Sequence, residues 1–212
     1  MGIQHYFSAN EDKRALFIFN LIAPFYYLID KGTRGNYEKM AAMLDAHIPL
    51  QGKSVLDVGC GTGSWIAALN KYGLKRAVGA DFSVKMLAEA RKSHPEMEFV
   101  HQNGEALTAF ADNSFDIVTA TFVLHGMKAP KRAQLLEEMK RVSKKFVVIH
   151  DFYKGSSFAV WLLETLERSD YVRFKKHFKE EMESIFPAVD ILAGDNGNAL
   201  YIGGQPFKST RI

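Results

Sequence analysis

A lone cysteine, Cys60, excludes an internal disulfide and any cluster of thiolate metal ligands, and it fits a reducing cytoplasm. No charge of one sign dominates: 27 Lys and Arg stand against 24 Asp and Glu, a formal net charge of +3, so composition offers no case for a nucleic-acid partner. No hydrophobic run is long enough to span a bilayer. The longest candidate, Ala15–Ile29, holds 15 residues and is interrupted by Asn20 and Pro24. The segment before it, MGIQHYFSANEDKR, is polar and acidic where an export signal would be basic. The seven histidines show no HExxH or comparable ligand spacing, and no catalytic metal is expected. Internal repeats and low-complexity segments are missing too.

What is there is an alternation. From Lys53 onward, short β-rich runs at 54–57, 77–81, 98–101, 115–120 and 145–150 are separated by helical patterns at 64–71, 84–92, 131–142 and 158–168. Strands spaced in this way predict right-handed βαβ units on a parallel sheet. The end differs: runs at 190–193 and 199–203 are joined only by GDNGN, whose Gly and Asn supply positive-φ turn residues, so a hairpin places one antiparallel strand in the sheet. The prediction is an α/β fold with a seven-stranded, mostly parallel sheet. Before Lys53 the pattern is helical, with helices expected from about 12–28 and 37–46. The chain is read as one domain over 1–212, with a helical cap at 1–50 and a Rossmann-like core at 51–212.

In an open parallel sheet the ligand binds beyond the carboxyl ends of the strands, where strand order reverses, which is usually at the first strand. Here that strand runs into VLDVGCGTGSW, with Gly59, Gly61 and Gly63 in the loop. A dinucleotide fingerprint requires G-x-G-x-x-G, and Ser64 stands at its third glycine position. Asp57, just before the loop, would repel a pyrophosphate and favour an ammonium. Asp81 closes the second strand 20 residues after Gly61, where its carboxylate can accept from both hydroxyls of a ribose. A ribose and an ammonium with no phosphate describe S-adenosylmethionine.

VLDVGCGTG, followed by VGADFS, HQNGEAL and NSFDIVTATFVLH, resembles the class I S-adenosylmethionine-dependent methyltransferases, and within them the ubiquinone and menaquinone biosynthesis branch. The resemblance covers roughly 19–149 and includes the upstream pattern Phe19, Ala23 and Tyr26. It implies a Rossmann-like class I methyltransferase fold. It also implies cofactor contacts from Thr62, Asp81, Asn103 with Gly104, and Thr121. Where that branch has Leu-Pro-Phe, this chain has Leu107-Thr108-Ala109-Phe110, one residue longer.

The rest of the site is read residue by residue. Cys60 is expected to offer the cofactor its backbone, with the thiol as a small buried group. Phe82 and Met86 suit the faces of an adenine, as an aromatic ring and a polarisable thioether; Asn103, and Glu105 after it, suit its amino edge. His125, just past the fourth strand, is the candidate general base, weighed against a structural histidine satisfied by a loop carbonyl. His150, at the end of the fifth strand, is a candidate for the acceptor pocket, together with Phe19, Tyr26 and Tyr27 of the aromatic cap. Tyr171, Phe174, Phe178 and Met182 fall at helical spacing among Arg173, Lys175, Lys176 and Lys179, which predicts a packed face beside a solvated basic one. The expected function is direct in-line methyl transfer from S-adenosylmethionine to a small apolar or aromatic molecule, with S-adenosylhomocysteine as product. The alternatives are a catalytically silent cofactor-binding partner subunit and a dinucleotide oxidoreductase.

Overall fold

The computed structural model describes residues 35–102, 106–155 and 169–204. The expected helices at 12–28 and 158–168 and the cap residues Phe19, Tyr26 and Tyr27 lie outside them.

The described elements run in the expected order: α1 (35–47), β1 (Ser54–Val58), α2 (Ser64–Asn70), β2 (Arg76–Asp81), α3 (Val84–Ser93), β3 (Glu98–His101), β4 (Phe115–Thr121), a 3-10 turn (Leu124–Gly126), α4 (Ala129–Val142), β5 (Ser143–Phe152), α5 (Tyr171–Ile185), β6 (Ala188–Ala193) and β7 (Asn198–Gly204). They build one seven-stranded sheet in the order β3-β2-β1-β4-β5-β7-β6. Strands β1 to β5 pair in parallel, and β7 runs antiparallel to both β5 and β6, so the hairpin inserts its second strand between β5 and the edge. Strand β1 lies between β2 and β4, the point where chain order reverses.

Two apolar clusters cover the two faces. Leu44, Val55, Ile66, Leu87, Ile117 and Val148 gather α1, α2 and α3 on one face; Leu135, Met139, Phe174, Phe178 and Met182 seat α4 and α5 on the other. Helix α1 therefore packs into the same cluster as the sheet, although the sequence reading assigns it to the cap. In α5 the apolar residues are buried while Arg173, Lys176 and Lys179 are exposed, as the spacing predicts.

Two boundaries shift for physical reasons. Helix α4 begins at Ala129 because Pro130 fits a first helical turn, where its missing N–H is not needed. Strand β5 continues two residues past 150 because β7 pairs with it as far as Phe152, opposite Asn198. That extension brings Asp151 into the strand.

Candidate active site

The glycine loop leaves β1 at the reversal point and is tied to the neighbouring strand: the N–H groups of Gly59 and Cys60 donate to the carbonyl of Ala80 at 2.8 and 3.0 Å. The glycines do different work. A Cβ at Gly59 would lie 2.6 Å from a Val123 methyl, so this glycine is required for packing; a Cβ at Gly61 would meet nothing within 4 Å, so the loop faces open space there.

Both predicted acids flank this opening and are buried. Asp81 Oδ2 accepts the N–H of Gly61 at 2.9 Å, and its Oδ1 accepts that of Ser83 at 2.7 Å. Ser83 caps α3 by accepting from the N–H of Met86. Asp57 Oδ1 accepts the Thr119 hydroxyl at 2.9 Å, but its Oδ2 is buried without a donor among the described residues. Burial, opposed by the Thr119 bond and aided by the nearby Asp81 charge, pushes the Asp57 carboxyl up to about 8; burial likewise raises Asp81. The thiol of Cys60 is buried and pushed up, by burial first and then by Asp57 and Asp81, which fits an inert side chain. Thr62 is buried in the loop, Phe82 is half-buried and Met86 buried at the start of α3. Asn103, Gly104 and Glu105 lie outside the described residues.

The two histidines end up in different settings. His125 sits on the 3-10 turn after β4, with Nδ1 2.8 Å from Asp151 Oδ1; Asp151 Oδ2 accepts the N–H groups of Leu124 and His125 at 3.1 and 3.2 Å. The partner of Nδ1 is thus a carboxylate carried by β5. Arg132, fully buried, donates to the carbonyls of Leu124 and Met127 at the ends of that turn and to Glu181 of α5, and it ion-pairs with Asp170. His150 is fully buried inside β5, opposite Thr121 of β4, and neither ring nitrogen has a hydrogen-bond partner among the described residues. Burial holds the imidazole down at about 4; the Asn198 amide lies near enough to moderate the shift without reaching hydrogen-bond geometry.

An aromatic wall links the two. The Phe122 ring centroid is 4.9 Å from His150 and 5.2 Å from Phe152, and Phe152 is 4.8 Å from His125. Trp65 and Tyr37 close on His150 from the helical side at 5.0 and 5.9 Å. The sequence reading does not include Trp65, Phe122 or Phe152 in the site. The place of Trp65, directly after the glycine loop, was a usable signal. The left-handed φ of 51° at Phe122, which turns its ring, has none in the residue type.

Leu107 and Phe110, which bracket the extra residue relative to the quinone branch, are both core residues, and Arg141 donates to both of their carbonyls. The insertion is thus absorbed in a surface turn. A separate depression of about 360 Å³ lies at the amino edge of the sheet, where Arg76 and Glu98 satisfy each other's charge.

The sheet order, the glycine loop at its reversal point and the acid at the end of β2 give the arrangement expected of a class I S-adenosylmethionine-dependent methyltransferase, and the comparisons with known proteins point the same way. Residues 55–145 match the family model described as a methyltransferase domain. The chain is 41% identical over 102 residues to a demethylmenaquinone methyltransferase of Renibacterium salmoninarum, covering 48% of this chain and 41% of that protein. It is 34% identical over 134 residues to the corresponding protein of Chlorobaculum parvum, covering 60% and 54%. The chain thus spans about half the length of the curated relatives it matches. Among solved structures, a magnesium protoporphyrin IX methyltransferase from Synechocystis with bound S-adenosylhomocysteine shares the fold at a TM-score of 0.64 and 18% identity, over 82% of this chain and 84% of that one.

The methyl donor of this class is S-adenosylmethionine, and the residues present fit it. Asp57 has a buried oxygen lacking a donor among the described residues, and Gly61 leaves open space beside Asp81.

Proposed function

We propose that this protein methylates a small aromatic acceptor of the quinol type, with S-adenosylmethionine held by Asp57, Gly59 to Gly63 and Asp81. The observation that carries the reading is the glycine loop framed by two buried carboxylates, one of them with an oxygen still lacking a donor. When bound, the cofactor supplies an electrophilic methyl on a sulfonium and leaves as a neutral thioether, so no acid is required of the protein. The names of the curated relatives support a quinone-derived acceptor.

The chain's own residues have three tasks. Asp57 and Asp81 bind the ammonium and the ribose. Phe122, Phe152, Trp65 and Tyr37 give an apolar enclosure that excludes water and orients a flat ring. His125, oriented through Nδ1 by Asp151, takes the proton that a quinol oxygen or ring carbon must lose. A free amine would not need that base, so an oriented imidazole at this edge favours an oxygen or carbon acceptor.

Calorimetry with S-adenosylhomocysteine, followed by its release across a panel of reduced naphthoquinones and phenols, tests the reading. Binding in the micromolar range or tighter and turnover on at least one quinol are expected. Failure to bind S-adenosylhomocysteine would overturn the proposal.

A further inference from the structure

Four orphaned polar atoms meet on one face of the sheet at its carboxyl edge. Thr121 Oγ1, both ring nitrogens of His150 and Trp65 Nε1 are buried with no hydrogen-bond partner among the described residues. They belong together: Thr121 and His150 are register partners on β4 and β5, and the indole of Trp65 lies 5.0 Å from the imidazole. Buried polar atoms are satisfied in the great majority of cases, because each one left unpaired destabilises the fold. An unpaired set of this size on three separate elements marks a place where a ligand supplies the missing partners.

We propose that Trp65, Thr121 and His150 form a subsite that hydrogen-bonds a neutral ring oxygen, hydroxyl or carbonyl, of the methyl acceptor, between the rings of Tyr37 and Phe122. The chemistry of the group selects the ligand. The indole N–H only donates, the hydroxyl both donates and accepts, and an uncharged imidazole does one of each. Burial keeps His150 uncharged at neutral pH, so it brings no positive charge to a carboxylate or phosphate. Asp57 lies on the same face of the sheet, at the last position where β1 pairs with β4, opposite Thr119 and so two residues short of the level of Thr121; it adds no positive charge to attract an anion. A purely apolar ligand would leave all four atoms unsatisfied. A hydroxyl or carbonyl on a flat ring satisfies them and stacks on the aromatic side chains around it.

The subsite rests on the proposed methyl transfer, and its test is separable from that reading. Equilibrium dialysis with saturating S-adenosylhomocysteine compares three probes, 1-naphthol, 1,4-naphthoquinone and naphthalene, on the wild type and on His150→Phe and Trp65→Phe. The wild type should prefer the oxygenated rings by about tenfold or more, and each variant should reduce that preference to about threefold or less, while S-adenosylhomocysteine affinity stays within about twofold. Ligand-free His150→Phe should melt no lower than the wild type, since it replaces unsatisfied polar atoms by apolar ones. The proposal is overturned by a wild type without the preference, by variants that keep it, by a parallel loss of S-adenosylhomocysteine affinity, which would give these groups to the cofactor, or by a His150→Phe protein that melts lower or does not fold. A wild type that does not bind S-adenosylhomocysteine at all would instead remove the proposed function.

Discussion

His125 and Asp151 are joined twice: Nδ1 of the imidazole lies 2.8 Å from one carboxylate oxygen, and the other oxygen accepts the backbone N–H of His125 itself at 3.2 Å. One buried carboxylate therefore fixes both the ring and the turn that carries it. A general base contributes about 10²–10⁴ in rate. His125→Gln should lower turnover on an identified quinol by at least about 100-fold and leave S-adenosylhomocysteine affinity within about twofold. Unchanged turnover would remove His125 as the base. Asp151→Asn should lower turnover and stability together, because the charge-assisted bonds to the turn go with it.

Asp57 gives stability a pH dependence with a definite sign. Its carboxyl is raised from 3.8 to about 8 in the folded protein. Below pH 4 the folded and unfolded chains both hold the proton. As pH rises toward 8 the unfolded chain releases it and the folded chain does not, so stability falls across that window and levels off above it. Asp57→Asn cannot make this loss, so its free energy of unfolding relative to the wild type, from chemical denaturation, should rise from pH 4 to pH 8, by up to roughly 5 kcal/mol. A constant difference across pH would show that Asp57 does not titrate there. Binding of S-adenosylhomocysteine, whose ammonium favours the charged form, should release a proton at pH 7, measurable from calorimetry in two buffers of different ionisation enthalpy.

At the other acid, Asp81→Ala removes an acceptor from the Gly61 and Ser83 N–H groups as well as from the ribose. S-adenosylhomocysteine should bind at least tenfold more weakly, ~1.4 kcal/mol. Affinity within about twofold of the wild type would show that the ribose contact lies elsewhere.

Gly59→Ala carries two penalties. The residue holds a φ of +72°, and the new methyl would lie 2.6 Å from Val123, two residues before His125. The left-handed backbone costs about 1–2 kcal/mol and overpacking about 1–3. Thermal melting should register the sum. Gly61→Ala, where the space is open, should melt closer to the wild type and lose more of its cofactor affinity.

Arg132→Met breaks the link between the His125 turn and α5. The arginine is fully buried, while Glu181 and Asp170 keep about a fifth of their side-chain surface in water. The carboxylates left behind remain partly solvated, so the expected cost is near the lower end of the range for a broken buried pair, about 3 kcal/mol. A change below about 1 kcal/mol in chemical denaturation would contradict a structural role for the pair.

The sheet was legible in the sequence because its signals are local. Alternation of β-rich and helical runs, the GDNGN turn and the buried spacing in α5 each reflect a periodicity that one segment carries alone. Asp57, the three glycines and Asp81 were legible for a related reason: their spacing along two adjacent strands already encodes their proximity. The His125–Asp151 contact spans 26 positions and depends on β7 lengthening β5. Trp65, Thr121 and His150 come from three elements, and which of their atoms lack partners is decided by what packs around them. Neither relationship has a one-dimensional signature.

Strand β5 ends in two consecutive side chains with opposite assignments. His150 faces Trp65 and Tyr37 on one side of the sheet, and Asp151 grips the His125 turn on the other. Because successive residues of a strand alternate sides, a one-residue insertion or deletion anywhere between Phe146 and Ile149 would exchange them. The carboxylate would enter the aromatic enclosure and the imidazole would face the turn. Length in this stretch is therefore under tighter constraint than residue identity: hydrophobic replacements there would be tolerated, and indels would not.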